Sequence, residues 1–353
     1  MKSMKRSTFG LGALLVFVFM TMSISGIAYS ADKPIELSFS TILPVQYPFT
    51  KAMDAWGKEV ENRTAGRVKV TYYHAGSLVD AANAYEGVIN GITDIALTWP
   101  SYSRGRFPLA EVLDIPGFEF NAIAVTHVYN DWYRKFKPKE FDDTHMLYLF
   151  GSTPGTFYTK KPIRTQQDFK GSRIRCIGIS CNVVEALGGT PVAMPKPDVY
   201  DALQKGIIDG AVGNPNELKY WRMAEVASYT TIYSRVGYLS ASIVIMNKKK
   251  WDSLPSDIKK IVTEVSLDWE EYIGKAMNTL EVEGITYGKE KGHKFIALSS
   301  EEGRRWEKAL EPLQNDYVKR MTQKNLPGKE ALDYRNQLVE KYNKTHPSIY
   351  KFE

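Results

Sequence analysis

Thr165-Gln166-Gln167-Asp168-Phe169-Lys170-Gly171-Ser172-Arg173-Ile174-Arg175-Cys176-Ile177-Gly178 is followed, across a helix-like run, by Ala202-Leu203-Gln204-Lys205-Gly206-Ile207-Ile208-Asp209-Gly210-Ala211-Val212-Gly213-Asn214-Pro215. Lys170-Gly171 is a turn signal, and residues 172–177 read as a short strand. Strand alternation puts Arg173 and Arg175 on one face, Ile174 and Cys176 on the other. Arg175 lies nearer the C-terminal end of the strand, and in an open α/β sheet that end borders the crevice where ligands bind. A guanidinium there offers a planar fork of donors that fits a carboxylate bidentately, which a lysine cannot imitate. The plainer reading is a salt bridge to a neighbouring acid, and the strand by itself favours that one.

Upstream, Ile35, Leu37 and Phe39 alternate with polar residues in a first strand that runs into the loop 41–48, a crevice-wall candidate containing Tyr47. Phe49, Met53, Trp56 and Val60 have helical spacing up to a stop at Ala65-Gly66, and 68–72 is the next strand. Strand–helix–strand order implies parallel pairing. Helices are expected over 77–91, 127–137 and 180–187, and strands over 92–97, 146–150 and 241–246. The free N–H groups at the start of the 180–187 helix would favour an anion. Gly151-Ser152-Thr153-Pro154-Gly155 is a hinge candidate, with Thr153 lining the cleft. From Ile258 to Ile285 the apolar positions keep helical spacing, interrupted by Gly274 and Gly284; the rival reading is a coiled coil. Another amphipathic helix is expected over 306–321, then a polar tail with Leu338 and Tyr342 packed back on the body.

Gly91-Ile92-Thr93-Asp94-Ile95-Ala96 echoes Gly206-Ile207-Ile208-Asp209-Gly210-Ala211. The echo supports two lobes built from related units and aligns the loops that follow, bringing Trp99 and Asn214 to equivalent places just past a strand. Asn214 offers a donor and an acceptor, though an Asn before Pro215 also suits a turn. Trp99 could floor a pocket or belong to the core. Tyr238 is open in the same way, cleft or core.

The 168–175 motif and the 202–210 motif, in that order and at that separation, resemble the solute-binding proteins of TRAP transporters, the tripartite ATP-independent periplasmic systems, with compatible segments from about Ile35 to the C-terminal helices. The resemblance implies an α/β, two-lobed periplasmic-binding-protein fold with a ligand cleft between the lobes and a long C-terminal helix spanning both. It implies that Arg175 clamps a substrate carboxylate, and it favours Asn214 as a ligand group. Trp99, Tyr47, Thr153 and Tyr238 complete the expected ligand-binding set. Arg104-Gly105-Arg106-Phe107-Pro108 matches a framing segment of the family, with its arginines in surface pairs. The expected organisation is a signal peptide over 1–30, the first part of lobe I over 31–153 and lobe II over 154–240. A return strand and the spanning helix occupy 241–290, and a C-terminal strand and helices 291–353. The expected partners are a small organic anion (dicarboxylate, 2-oxo acid, aromatic acid or sulfonate) and the membrane subunits of a permease driven by a sodium or proton gradient. The protein itself is expected to be a monomer. An exported sensor for a signalling receptor is the main alternative.

Composition agrees with export. Lys2, Lys5 and Arg6 precede an apolar run over 11–22 and a small-x-small site at Ala28-Tyr29-Ser30, the pattern of a cleaved secretory signal with a mature start at Ala31 in the periplasm. Its three basic residues and no acid leave +3 of the formal +6 charge, without a basic block of the kind that binds nucleic acid. The five histidines show no metal-ligand spacing, and there is no P-loop, dinucleotide fingerprint or nucleophile elbow, so no cofactor, metal or catalytic residue is expected. Cys176 and Cys181 are the whole cysteine content. A disulfide suits an oxidising compartment, but a strand end and a helix start five residues apart are expected to fall short of the required geometry. A hydrolase using Cys176 is the enzyme alternative.

Overall fold

A computed structural model describes residues 33–350, and the signal segment expected over 1–30 lies outside them. Eleven strands form among the described residues: β1 (Ile35–Ser40), β2 (Val68–Tyr73), β3 (Ile95–Thr98), β4 (Thr144–Phe150), β5 (Thr156–Thr159), β6 (Arg173–Cys176), β7 (Thr190–Ala193), β8 (Gly210–Gly213), β9 (Tyr229–Ile232), β10 (Ser242–Asn247) and β11 (Lys294–Ala297). They make two sheets, ordered β2-β1-β3-β10-β4 and β11-β9-β5-β8-β6-β7. The chain leaves the first sheet after β4, builds most of the second, returns through β10 and crosses back for β11.

The expected parallel pairing of the first two strands forms, with Ile35 opposite Val68. β10 runs antiparallel between β3 and β4, and all six of its residues are buried. That explains its nearly continuous apolar sequence: a central strand covered on both faces has no polar side to alternate with.

Local polar chemistry moves several helix ends. The helix expected over 77–91 is confined to Ala84–Ile89, because Asp80 Oδ1 accepts from the Asn83 backbone N–H at 2.9 Å and holds the preceding segment in turns. The helix expected from 127 begins at Ala122, where the Asn121 side chain caps it by accepting from the Ile123 N–H. The expected polar tail is instead a helix, Gly328–Thr345, burying Ala331, Leu332, Arg335, Leu338 and Val339 along one stripe. Leu338 packs back as anticipated; Tyr342 is half-buried, stacks on His127 and donates to Asp131 at 2.6 Å.

The run from Ile258 belongs to a single helix, Ser256–Glu290. Its first part packs on the helices Pro48–Arg63 and Ala122–Phe136 over the first sheet, with Trp269 Nε1 donating to the Ala52 carbonyl. Its later part reaches the short helix Glu217–Tyr220 of the second sheet. Gly274 and Gly284 look like interruptions in sequence and are close approaches in space. A side chain on Gly274 would press against the Ile123 backbone, and one on Gly284 would overlap Pro215 and Asn216. The helix therefore touches elements of both sheets.

Candidate functional site

Arg173 and Arg175 share a strand and a face but meet opposite surroundings. Arg173, at the solvent end of β6, pairs with Asp209 through Nε and Nη2 at 2.9 Å and donates to the Gly206 carbonyl. Arg175, one pleat further, is 2% exposed. Its Nε donates to the Met194 carbonyl at 2.9 Å and its Nη1 reaches the Val212 carbonyl at 3.5 Å. Nη2 makes no hydrogen bond of normal geometry to any described residue, although the hydroxyl of half-buried Tyr102 stands in its field. Burial works against the charge, but Tyr102, Tyr238, Tyr158 and Glu217 around it keep the guanidinium protonated. A fully buried donor without a partner is expensive, so this edge is shaped for something that arrives.

Arg175 faces a cavity, open to solvent, that is lined by residues from the ends of strands in both sheets. All six residues expected to bind ligand line it: Tyr47, Trp99, Thr153, Arg175, Asn214 and Tyr238. Trp99 follows β3 and Asn214 follows β8, so the internal echo places them at matching strand ends. The two glycines that open the echo, Gly91 and Gly206, also have nearly equal positive φ, 72° and 71°. Arg175 and Ile177 come from the end of β6, and Ser152 and Thr153 from beyond β4. The C-terminal ends of parallel strands thus converge on the cavity, as open α/β sheets require.

The expected residues are linked by a hydrogen-bonded frame that sequence reasoning did not find. Tyr47 donates to Asn216 Oδ1 at 2.9 Å, and Asn216 Nδ2 and N–H donate to the two oxygens of Glu281 on the 256–290 helix. Burial pushes Glu281 up to about 8, against those two bonds, so it holds its proton at neutral pH. Asn214 Nδ2 donates to the Thr153 carbonyl at 2.6 Å, tying a loop of the second sheet to the hinge candidate. Asn214 is therefore both a turn residue and a lining residue.

Lys196 and Glu217 also line the cavity and were not anticipated. They form an ion pair, and the Tyr158 hydroxyl accepts from Lys196 at 2.8 Å and donates to Glu217 at 2.7 Å. Burial lowers Lys196 to about 8, opposed by Glu217 and assisted by Arg175. The signal in sequence is Pro195-Lys196-Pro197, a lysine pinned between two rigid residues where a surface lysine would gain nothing.

Two expectations are corrected here. The first residues of the 179–186 helix are not among those that line the Arg175 cavity: Gly178 and Ile179 line a second cavity, with Asp114 and Arg320. Cys176 and Cys181 are joined in a disulfide with their Cα atoms 5.0 Å apart. The expected shortfall in geometry assumed an open path between strand and helix. Gly178, at φ 52°, folds the chain back in the left-handed region and brings the two cysteines together. The bond consumes the thiol that a Cys176 hydrolase would need. As expected, Arg106 pairs on the surface, with Glu86 and Asp143. Among the described residues no cluster of His, Cys, Asp or Glu could hold a metal, and no helix is long and apolar enough to cross a membrane.

Comparison with known proteins gives a concordant result. The family model for DctP, bacterial extracellular solute-binding protein family 7, matches residues 39–320. The C4-dicarboxylate-binding periplasmic protein DctP of Rhodobacter capsulatus is 27% identical over 336 residues, 88% of this chain and 94% of its own. A TRAP periplasmic solute-binding protein from Desulfovibrio salexigens is 32% identical with a TM-score of 0.78, over 90% of this chain and 99% of that one. One from Rhodoferax ferrireducens, solved with copurified benzoate, is 27% identical with a TM-score of 0.84, over 88% of this chain and 99% of its own. With most of its length matched, the chain belongs to bacterial extracellular solute-binding protein family 7, the TRAP solute-binding proteins, which are substrate-binding components of transporters and not enzymes.

Proposed function

We propose that the protein captures a small organic acid with its carboxylate on Arg175 and delivers it to a gradient-driven TRAP permease. The observation that carries this reading is Arg175 Nη2, buried, charged and without a hydrogen-bond partner at the wall of the cavity that all six expected residues line. With Nε occupied by Met194, the edge left for a carboxylate is the Nη1–Nη2 side. Trp99 and Tyr47 enclose the body of the ligand, Asn214 and Tyr238 meet its polar groups, and Thr153 frames the hinge side. In this reading 31–153 and 154–240 are the two lobes and 241–290 ties them. Closure about 151–155 is driven by contacts that the open state lacks. A periplasmic location, reached through a signal removed near Ala31, belongs to the same proposal. Benzoate in the Rhodoferax relative supports an organic acid as cargo.

A thermal-shift screen of the purified protein against carboxylates and sulfonates tests it. A ligand at a hundred times its Kd raises stability by about 2.7 kcal/mol. Arg175→Lys should weaken binding of the best acid more than tenfold, since a charge-assisted contact contributes roughly 1.5–3 kcal/mol. An affinity unchanged in that variant removes the clamp.

A further inference from the structure

Among the residues that line the cavity, three carry charge: Arg175, Lys196 and Glu217. The last two cancel. Their side chains are 9% and 12% exposed, and both are bonded to the Tyr158 hydroxyl. The surroundings are shaped around the acid: Gly213 ends β8 without a side chain, and a Cβ there would overlap the Glu217 carboxylate. Lys196 stays protonated at neutral pH, and Glu281 behind Asn216 stays neutral. The wall therefore presents a single uncompensated positive charge, on Arg175. The remaining lining sets aromatic rings, among them Phe49, Trp99, Phe150 and Trp221, beside small polar side chains such as Ser152, Thr153 and Ser242.

We infer that this site is built for a monocarboxylate with an aromatic or apolar body, and that Glu217, by neutralising Lys196, is the residue that excludes a second carboxylate. The inference rests on the proposed Arg175 clamp. One carboxylate makes the cavity neutral. A second would be buried without a partner, or would draw Lys196 away and leave Glu217 buried without one; both are costly for a buried charge. The name of the Rhodobacter relative, which refers to C4-dicarboxylates, points the other way, so the two readings are opposed and can be separated.

The test is calorimetric binding at pH 7 to benzoate and to two matched pairs: isophthalate with its monomethyl ester, and succinate with its monomethyl ester. Each ester removes one charge from its diacid and adds one methyl group. The wild-type protein should bind the monoester at least tenfold more tightly than the diacid. Glu217→Gln should shrink that ratio at least tenfold, because Lys196 is then free to meet the second carboxylate. The double variant Lys196→Met/Glu217→Gln restores a net single charge and should keep the wild-type preference, which holds the test open if the single variant fails to fold. Wild-type protein that binds diacid and monoester equally, or a ratio unmoved by Glu217→Gln, overturns the inference and leaves the organic-acid reading standing. If benzoate and both pairs fail to bind while another acid of the thermal-shift screen does, this inference falls alone; if no acid of that screen binds, the proposed function falls with it.

Discussion

The two walls of the cavity are made by opposite means. The wall from the first sheet is part of a core: Tyr47, Phe49 and Phe150 belong to one apolar cluster with Trp56, Val262 and Trp269, and Phe49 and Phe150 are in ring contact at 5.2 Å. The wall from the second sheet is a polar assembly in which Arg175, Lys196 and Glu217 are held by carbonyls and the Tyr158 hydroxyl. Side chains in the first wall stabilise the fold and shape the site at once, whereas those in the second spend part of their stability on selectivity. A substitution should therefore separate folding from binding on one side only.

The largest expected effect is on the first wall. Phe49→Ala removes a ring that is 2% exposed and should cost about 3 kcal/mol or more in urea unfolding, with binding lost in proportion. A variant that keeps its stability while losing ligand would erase the contrast. Next comes the disulfide, which supports the second wall just past Arg175. Cys176→Ser/Cys181→Ser closes no loop in the unfolded chain and should lose about 2 kcal/mol, read as a lower urea midpoint. A wild-type midpoint would mean that the strand end is fixed by packing alone.

A smaller effect should appear with pH. Glu281 and Asp114 are pushed up by burial to about 8, so the folded form keeps protons that the unfolded form releases. Their stabilisation is complete below the ordinary carboxyl range and is lost as pH rises toward 8. His145 and His293, lowered by burial to about 4, are already neutral in the folded form. The unfolded form still releases their protons around the ordinary value of about 6.5, which offsets part of that loss up to about pH 7.5. The Tm should thus fall between pH 6.5 and 8, and Glu281→Gln should flatten part of that fall. A slope that the variant leaves unchanged would place the titration elsewhere. The smallest effect belongs to Arg173→Ala. Its pair with Asp209 is exposed and screened, so Tm and ligand affinity should stay at wild-type values. A loss of affinity there would mean that the two arginines are not the opposites they appear.

That pair also shows how far sequence reasoning reaches. Alternation put both arginines on one face, and the strand's direction decided which of them meets the crevice. The echo located Trp99 and Asn214 because a repeated turn and strand repeat the loop that follows. What stayed hidden depends on meetings between distant segments. Glu217 becomes a site residue only where Gly213, Tyr158 and Lys196 converge on it. The disulfide needed the backbone turn at Gly178, which no spacing rule contains. Likewise the 84–89 helix was overdrawn because its apolar period continues through a segment that Asp80 holds in turns.

The glycines of the 256–290 helix have a further meaning. Gly274 seats against Ile123, and Gly284 against Pro215–Asn216. Ten residues of α-helix separate these seats, a rise of about 15 Å. Each residue inserted or deleted between them would swing the far seat by about 100° and shift it by about 1.5 Å. The segment thus behaves as a gauge block whose length cannot drift by small steps.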